Sequence, residues 1–394
     1  MNLSLKQLFR SLGKESTGAK PEKIVRSPRR ASGKRSPRFL ILGVAALLLS
    51  LLGVVMVLSA SSVNDLQAHE DAWFHLRRQM IFFVVGLVAC LAVMRIDYRL
   101  LRNLSGVALG TAGVLLVVVM LPGVGISANG ATRWLGVGPL IFQPSEVAKL
   151  AVLLFCADFL SRPGYHIDDF KKTVRPLLGL TGLFGFLLMM EPDLGTAIII
   201  ATMVASALFF AGLRLRVLAG LGGAGVLTAG VLSMNAGYRR RRLLGVWDPW
   251  SDLHNTGWQT IQAGVAVSNG GIFGLGLGAS RAKWGFLPFA HTDFIYAIVA
   301  EELGLLGAML VIVLYLVIGF TGLSTAIHAP DAFGQLLAAG VTVWILIQSF
   351  VNIGAVLGLL PITGVPLPFV SFGGSALVAT MGAYGILLNV ARQT

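Results

Sequence analysis

An all-α protein that crosses a membrane many times is the fold this chain predicts, on three observations. Of its 394 residues, 55% are hydrophobic and only 12% are charged, with a mean hydropathy of +0.79. The apolar residues gather into runs near the length of about 20 residues that a helix needs to span a bilayer. The basic residues concentrate in particular connections between those runs. A soluble globular domain carries roughly twice that charged fraction. The predicted architecture is a polytopic membrane protein with about ten transmembrane helices and one large extracytoplasmic loop near 237–292.

Residues 1–38 hold eleven Lys or Arg against Glu15 and Glu22 and are rich in Ser and Pro. They predict a disordered basic cytoplasmic tail. It serves either as a plain orientation signal or as an attraction to an anionic inner leaflet or cytoplasmic partner. The rest, 39–394, is expected to form one transmembrane domain. Its first run, 39–60, is too long for the core of a cleaved signal and reads as an uncleaved anchor. Further runs fall near 79–94, 104–121, 146–161, 176–190, 194–212, 217–236, 293–318, 333–360 and 373–391. An even count puts both termini on one side. Arg95, Arg99, Arg102, Arg162, Lys171, Lys172, Arg175, Arg214 and Arg216 then fall in loops assigned to the cytoplasm, as the positive-inside rule requires. Cys90 and Cys156 lie within apolar runs and predict small buried side chains without metal-ligand spacing.

A second set of cations goes against that bias. Arg77, Arg78, Arg133, Lys149, Arg239, Arg240, Arg241, Arg242, Arg281 and Lys283 fall outside or at the outer ends of spans. They are either ordinary solvated charges of long loops or the ligands of a polyanion such as a pyrophosphate.

Between the third and fourth runs, Asn129, Gly130 and 136–138 read as turns, and Pro144 as a helix start with Ser145 as its cap. Glu146 and Lys149, three apart, share a helix face and can pair, either structurally or to orient a lipid headgroup. Glu191, Pro192 and Asp193 make an outer turn in which Asp193 caps the next helix, or both carboxylates help bind a metal. The stretch SNGGIFGLGLGAS resembles a nucleotide loop only superficially, since no Lys-Ser/Thr follows and no strand precedes it. Its glycines are expected to let backbone approach a bulky ligand. Asp293 then sits where water meets lipid, as an N-cap or as the chemical group. Glu301 and Glu302 lie about 12 Å deeper along the helix and must face the bundle. Last, 359–377 carries Pro361, Pro366, Pro368, Gly373 and Gly374. It predicts a re-entrant or surface loop closing the outer mouth, with Ser371 and Ser375 as hydroxyl donors.

The ordered set NGATRW, FQPSEVAK, EPDLGTA, DPW, SNGGIFGLGLGAS, LPFAHTDFIYAIVAEELG, NIG and LPITGVPLPFVSFGGS resembles the SEDS family of bacterial cell-wall polymerases over nearly everything after residue 40. The DPW after the arginines and the basic tail are more similar to its division branch, FtsW, than to its elongation branch, RodA. The resemblance implies a peptidoglycan glycosyltransferase that polymerises lipid II on the outer face of the bacterial cytoplasmic membrane, at the division septum. It implies a class B penicillin-binding protein transpeptidase and other division proteins as partners, and no nucleic acid. It also implies that Asp293 is the essential acid and that Arg133, Glu146 and Lys149 match family positions. Two departures, Phe289 where the family usually has Glu and the unbroken run 239–242, put loop contacts and metal handling in question. Together with the chemistry of diphosphate departure, this gives Asp293 as catalytic and Arg133, Glu146, Lys149, Arg239, Arg240, His291 and Ser371 as substrate-binding. Glu191, Asp193, Glu301 and Glu302 are supporting residues, and a divalent cation, Mg or Mn, stays open as a cofactor. Competing readings are a lipid II flippase, a non-catalytic division scaffold and the elongation paralogue.

Overall fold

The structure, a computed structural model, describes residues 36–394 apart from 129–130, 138–139, 165–166, 168, 236 and 254–255. The predicted tail up to residue 35, and the turn residues Asn129 and Gly130, lie outside the described residues.

Helices α1 (Pro37–His69) and α2 (Phe74–Arg95) lead through a 3-10 turn (Tyr98–Leu104) into α3 (Ser105–Val119). Then come α4 (Pro144–Ser161), α5 (Arg175–Met190), α6 (Leu194–Phe210) and α7 (Leu215–Asn235). After α8 (Gly237–Leu244) and α9 (Thr256–Gly270), the long helices α10 (Ile295–Ile327), α11 (Ala332–Val356) and α12 (Ser375–Gln393) close the chain. Among the described residues, eight helices are long and apolar enough to cross a bilayer. They are α1, α2, α3 with its leading turn, α5 with the turn Phe170–Val174 before it, α7, α10, α11 and α12. Two of the expected runs fall short of that standard: α6 has 17 residues, and α4 carries Glu146, Lys149 and Asp158. The protein is thus an all-α polytopic membrane protein.

Local chemistry sets the helix ends. Pro37 and Pro144 stand in first turns, where their missing N–H is no loss. Ser145 is not the cap of α4: Gln143 holds that position without a side-chain bond, and Ser145 Oγ reaches Asp193 at 3.4 Å instead. Asp331 caps α11 by accepting from Gly334 N at 2.7 Å, and also accepts from Tyr98 Oη at 2.6 Å and Arg99 Nε at 2.9 Å. One carboxylate thereby ties the start of α11 to the turn before α3. The core centres on α11 and α12, the most buried spans. Between α12 and α2 there is no room for a side chain: a Cβ on Gly385 would lie 2.7 Å from Cys90 O. Close backbone approach of this kind is how helices bind where apolar burial gives no net drive.

Three features depart from the expected pattern. Gly136 and Val137, expected in a turn before α4, belong instead to a small antiparallel sheet, β1 (Ile126–Ala128), β2 (Ala131–Val137) and β3 (Leu140–Phe142), in that order. The large loop is substantially helical, through α8, a 3-10 turn (Pro249–Asp252) and α9. The third is a break in α10 at Gly304, where φ is 67° and ψ is −166°. Such a break frees carbonyls and N–H groups that a membrane interior leaves no water to satisfy. The glycine-rich stretch supplies the partners. Leu275 N donates to Glu301 O and Gly276 N to Glu302 O, both at 3.0 Å, while Leu305 N donates to Gly271 O at 2.9 Å and Leu306 N to Ile272 O at 3.3 Å. The bulky group these glycines admit is the protein's own helix.

Gly304→Ala should therefore lower stability by about 2 kcal/mol or more, because its Cβ would stand 2.3 Å from Gly274 N at a positive φ. Gly264→Ala, with nothing within 4 Å, should leave it unchanged or slightly raised. Thermal unfolding of the purified protein in detergent compares the two directly.

Candidate active site

Asp293 lies just before α10, whose N-terminal flanking residue is Phe294 and which no side chain caps. The capping role that the sequence left open for Asp293 is thus not the one it has. What the structure does is fix its backbone. Phe372 N donates to His291 O at 3.0 Å, Ser371 Oγ to Thr292 O at 2.6 Å, and Asn352 Nδ2 to Asp293 O at 2.9 Å. Three successive carbonyls are held by α11 and the proline-rich segment. Asn352 Nδ2 also donates to Val365 O at 2.8 Å, and Leu367 N to Ser371 Oγ at 2.8 Å, so the segment 359–377 and the tetrad His291, Thr292, Asp293 and Phe294 are braced as one unit. A Cβ on Gly364 would sit 3.8 Å from Asp293 Oδ2, which puts this segment's backbone beside the carboxylate. Just upstream, Phe289 takes a left-handed φ of 58° and its carbonyl accepts from Thr292 N and Phe294 N.

Two guanidiniums act on that carboxylate. Arg133, on β2, donates from Nε to Glu191 O at 2.9 Å and from Nη2 to Pro192 O. Arg242, at the end of α8, donates from Nη1 to Ile362 O at 2.9 Å. Burial pushes Asp293 up to about 6, and the charges of Arg242 and then Arg133 pull the other way. Burial likewise lowers Arg242 to about 10, with Asp293 opposing. Beside them Glu191 is buried, and neither of its carboxylate oxygens has a hydrogen-bond partner. Burial and then the neighbouring Asp193 push it to about 8 against the pull of Arg133. Asp193 is the cap of α6, accepting from Thr196 N at 3.1 Å and Thr196 Oγ1 at 2.8 Å. A buried carboxyl and a partly buried carboxylate flanking two arginines form the kind of perturbed cluster that marks functional sites.

The other sequence candidates are placed as follows. His291 packs its ring 4.5 Å from that of His75, which pairs with the buried Asp65. Burial lowers His291 to about 4, so it is neutral at physiological pH. Ser371 holds backbone, as described. The Arg239 side chain lies outside the described residues, and Arg240 is exposed; among the described members of the run, it is Arg242 whose charge acts on Asp293. A helix turns successive side chains in different directions, which a run of four identical residues conceals.

Glu146 and Lys149 do pair, at 2.9 Å, but not at the open mouth: Lys149 is wholly buried. Its Nζ donates to Gln348 Oε1 at 3.0 Å and sits 4.7 Å from the Trp344 ring centroid. Gln348 Nε2 in turn donates to Pro366 O at 2.8 Å. The ion pair therefore braces α4 to α11 and to the segment that holds Asp293. Glu301 and Glu302 are held at the break in α10, although Glu302 Oε2 is buried without a hydrogen-bond partner. Ser280 Oγ donates to Glu301 Oε2 at 2.5 Å and Ser59 Oγ to Glu302 Oε1 at 2.6 Å, with the Lys283 ammonium 3.6 Å from Glu302. Lys283, expected among the outer cations, is buried. Asn352, Gln348 and Arg242 carry more of the site than their sequence suggests; the NIG motif, which begins at Asn352, was the available signal for the first, and no motif marks Gln348.

Among the described residues no three His, Cys, Asp or Glu side chains converge as a metal cage. Asp293 offers one carboxylate, which suits a Mg²⁺ ion only when substrate phosphates and waters complete its shell.

A family model described as cell cycle protein, covering FtsW, RodA and SpoVE, matches residues 39–394. The stage V sporulation protein E of Bacillus subtilis is 40% identical over 361 residues, 92% of this chain and 98% of that protein. A probable peptidoglycan glycosyltransferase FtsW of Geobacter metallireducens is 41% identical over 354 residues, 90% and 94% of the two chains. A chain of a solved peptidoglycan synthase complex, studied for the structural coordination of polymerization and crosslinking, superposes with a TM-score of 0.73 at 30% identity, covering 89% of this chain and 96% of that one. The rod-shape-determining protein RodA of Thermus thermophilus superposes with a TM-score of 0.66 at 29% identity, over 89% and 95%.

If Lys149 is a brace, Lys149→Met should strand the buried Glu146 and cost about 3–5 kcal/mol, while Glu146→Gln/Lys149→Met should regain most of it. Thermal unfolding midpoints of the two variants measure this. A single variant as stable as the parent contradicts it.

Proposed function

The chain belongs to the FtsW/RodA/SpoVE family of cell cycle proteins, and from that premise we propose that it is a peptidoglycan glycosyltransferase polymerising lipid II at the outer membrane face, with Asp293 as its catalytic carboxylate. The observation that carries the site is the clamped backbone of Asp293, with Gly364 of the proline-rich segment beside its carboxylate and Arg242 anchored on Ile362 of the same segment; the charges of Arg242 and Arg133 oppose the effect of burial on Asp293.

In the proposed step a sugar hydroxyl of one lipid-linked disaccharide attacks the anomeric carbon of another. The C–O bond to undecaprenyl diphosphate breaks, and its electron pair leaves with the diphosphate. The hydroxyl is a very weak acid, so the attack needs a base that is ionised yet incompletely solvated. Asp293, raised toward neutrality by burial, meets that need. Arg133 and Arg242 receive the negative charge that builds on the leaving diphosphate, which fixed donors stabilise best in a site screened from water. A single carboxylate base with no second nucleophile implies inversion at the anomeric carbon. A divalent ion held between Asp293 and the substrate phosphates would add charge neutralisation at the same place, and no step here depends on it.

A class B penicillin-binding protein as partner is supported by the likeness to the synthase complex. The division role, at the septum, rests on Asp248, Pro249 and Trp250 after the arginines and on the basic tail. A second reading, movement of the same lipid across the membrane, gains from the broken α10 with carboxylates beside the break, since transporters use discontinuous helices. Against it, both oxygens of Glu301 are occupied by Ser280 and backbone N–H groups, and Glu302 Oε1 by Ser59 and Lys283.

Purified protein with its transpeptidase partner and labelled lipid II tests the assignment. Asp293→Ala should lower glycan synthesis by at least about 100-fold and Arg242→Gln by about tenfold or more, while Arg240→Gln changes little. Chains made at the normal rate by Asp293→Ala would refute the mechanism.

A further inference from the structure

The clamp on the Asp293 turn is supported from a third side, by α2. His75 and Gln79 are four apart and so share a face of that helix. Both address Ser371 and Phe372, whose Oγ and N–H hold the carbonyls of Thr292 and His291. The His75 ring packs 4.8 Å from that of Phe372 and 4.5 Å from that of His291, and the latter two stand 5.9 Å apart. Three rings thus meet where Phe372 N donates to His291 O. One turn along, Gln79 Nε2 donates to Ser371 O at 3.4 Å, and a Cβ on Gly374 would lie 3.4 Å from Phe82 Cε2. One face of α2 therefore runs beside the segment 371–374.

What fixes His75 is Asp65, near the end of α1. This carboxylate is 1% exposed, and a buried acid on a membrane helix is costly unless its oxygens find partners within the protein. Oδ2 accepts from His75 N at 3.1 Å and Ser61 Oγ at 2.8 Å, and Oδ1 pairs with His75 Nδ1. A carboxylate can only accept, so the ring carries a proton on Nδ1. His75 is thereby held at two points, through its backbone and through the edge of its ring. Catalytic triads use a carboxylate in the same way, to fix the tautomer and direction of an imidazole. Here the neighbours of that imidazole are the rings of His291 and Phe372, so what it orients is the turn that carries Asp293.

We propose that Asp65 and His75 form a positioning pair for the Asp293 reaction, holding the His291–Phe372 contact so that the clamped carboxylate meets the sugar hydroxyl in productive geometry. The pair rests on the reading of Asp293 as the catalytic carboxylate. Glycan synthesis by the purified protein with its transpeptidase partner, measured over a range of labelled lipid II concentrations, separates kcat from KM. Asp65→Asn presents an amide N–H to one of the three donors whichever way it turns. It should lower kcat about tenfold with KM within about twofold of the parent. Asp65→Asn/His75→Phe keeps the ring's volume and an acceptor for the backbone N–H and Ser61, strands no charge, and should show the same loss. Asp331→Asn loosens the distant tie to Tyr98 and Arg99; it should lower the unfolding midpoint and leave kcat unchanged. An unchanged kcat in either Asp65 variant, shown to be folded by thermal unfolding, overturns the proposal. So does a fall of the same size in Asp331→Asn, which would tie rate to stability alone. A raised KM at the parental kcat overturns it as well, by making His75 a substrate contact. Asp293→Ala measured alongside separates the premise. Its loss of activity with none in the double variant contradicts only the positioning pair, whereas parental activity in Asp293→Ala removes the catalytic assignment and the pair with it.

Discussion

The structure depends on one clamp, the three consecutive carbonyls of His291, Thr292 and Asp293 held by Phe372, Ser371 and Asn352. A carboxylate that starts a membrane helix would ordinarily swing into water or cap the helix. Here the backbone is fixed from the side of α11 and the proline-rich segment, which sets the carboxylate beside Gly364, where the charges of Arg242 and Arg133 act on it. Each arginine is itself anchored on carbonyls, Arg133 on the turn at Glu191 and Pro192, Arg242 on Ile362. The proline-rich segment enters this arrangement twice, as holder of the tetrad and as anchor of Arg242. Its own support comes from Gln348, and behind that from the buried Lys149–Glu146 pair. Charges that look like ligands in the sequence thus act one layer behind the surface, holding the groups that face it.

The break in α10 obeys the same rule, that a polar group inside a bilayer needs a partner within the protein. Gly304 interrupts the helix, and the stretch 271–276 bonds four of the backbone groups beside the break. Lys283 stands beside Glu302, Ser59 donates to Glu302 and Ser280 to Glu301. The glycine-rich motif and the two adjacent glutamates are therefore parts of one packing unit, joined through backbone.

Much of this was legible beforehand, and the boundary is physical. The spans could be read because bilayer thickness imposes a run length that few soluble segments match, and Asp193 could be read as a cap because its bond to Thr196 is local. The three short strands could not, since segments of three, seven and three residues carry no period of two long enough to notice. Gly304 sits in a sequence that continues as helix on both sides, so nothing local announces the break. The spacing of Glu146 and Lys149 gave their pairing correctly, but depth is a tertiary property, and the pair was expected nearer the mouth. The same limit separates Arg242 from its neighbours: composition names a basic cluster, and only the direction of α8 selects the member that reaches Asp293.

The central claim is that burial and two anchored guanidiniums together set the proton affinity of Asp293. Its carboxyl titration, followed by NMR of carboxyl-labelled aspartate in the parent protein and in Arg242→Gln, measures that affinity directly. The midpoint should stand at about 6 in the parent. It should move to higher pH in the variant, because removing a nearby cation leaves burial less opposed. A midpoint near the ordinary aspartate value of about 4, unmoved by loss of Arg242, would contradict the account.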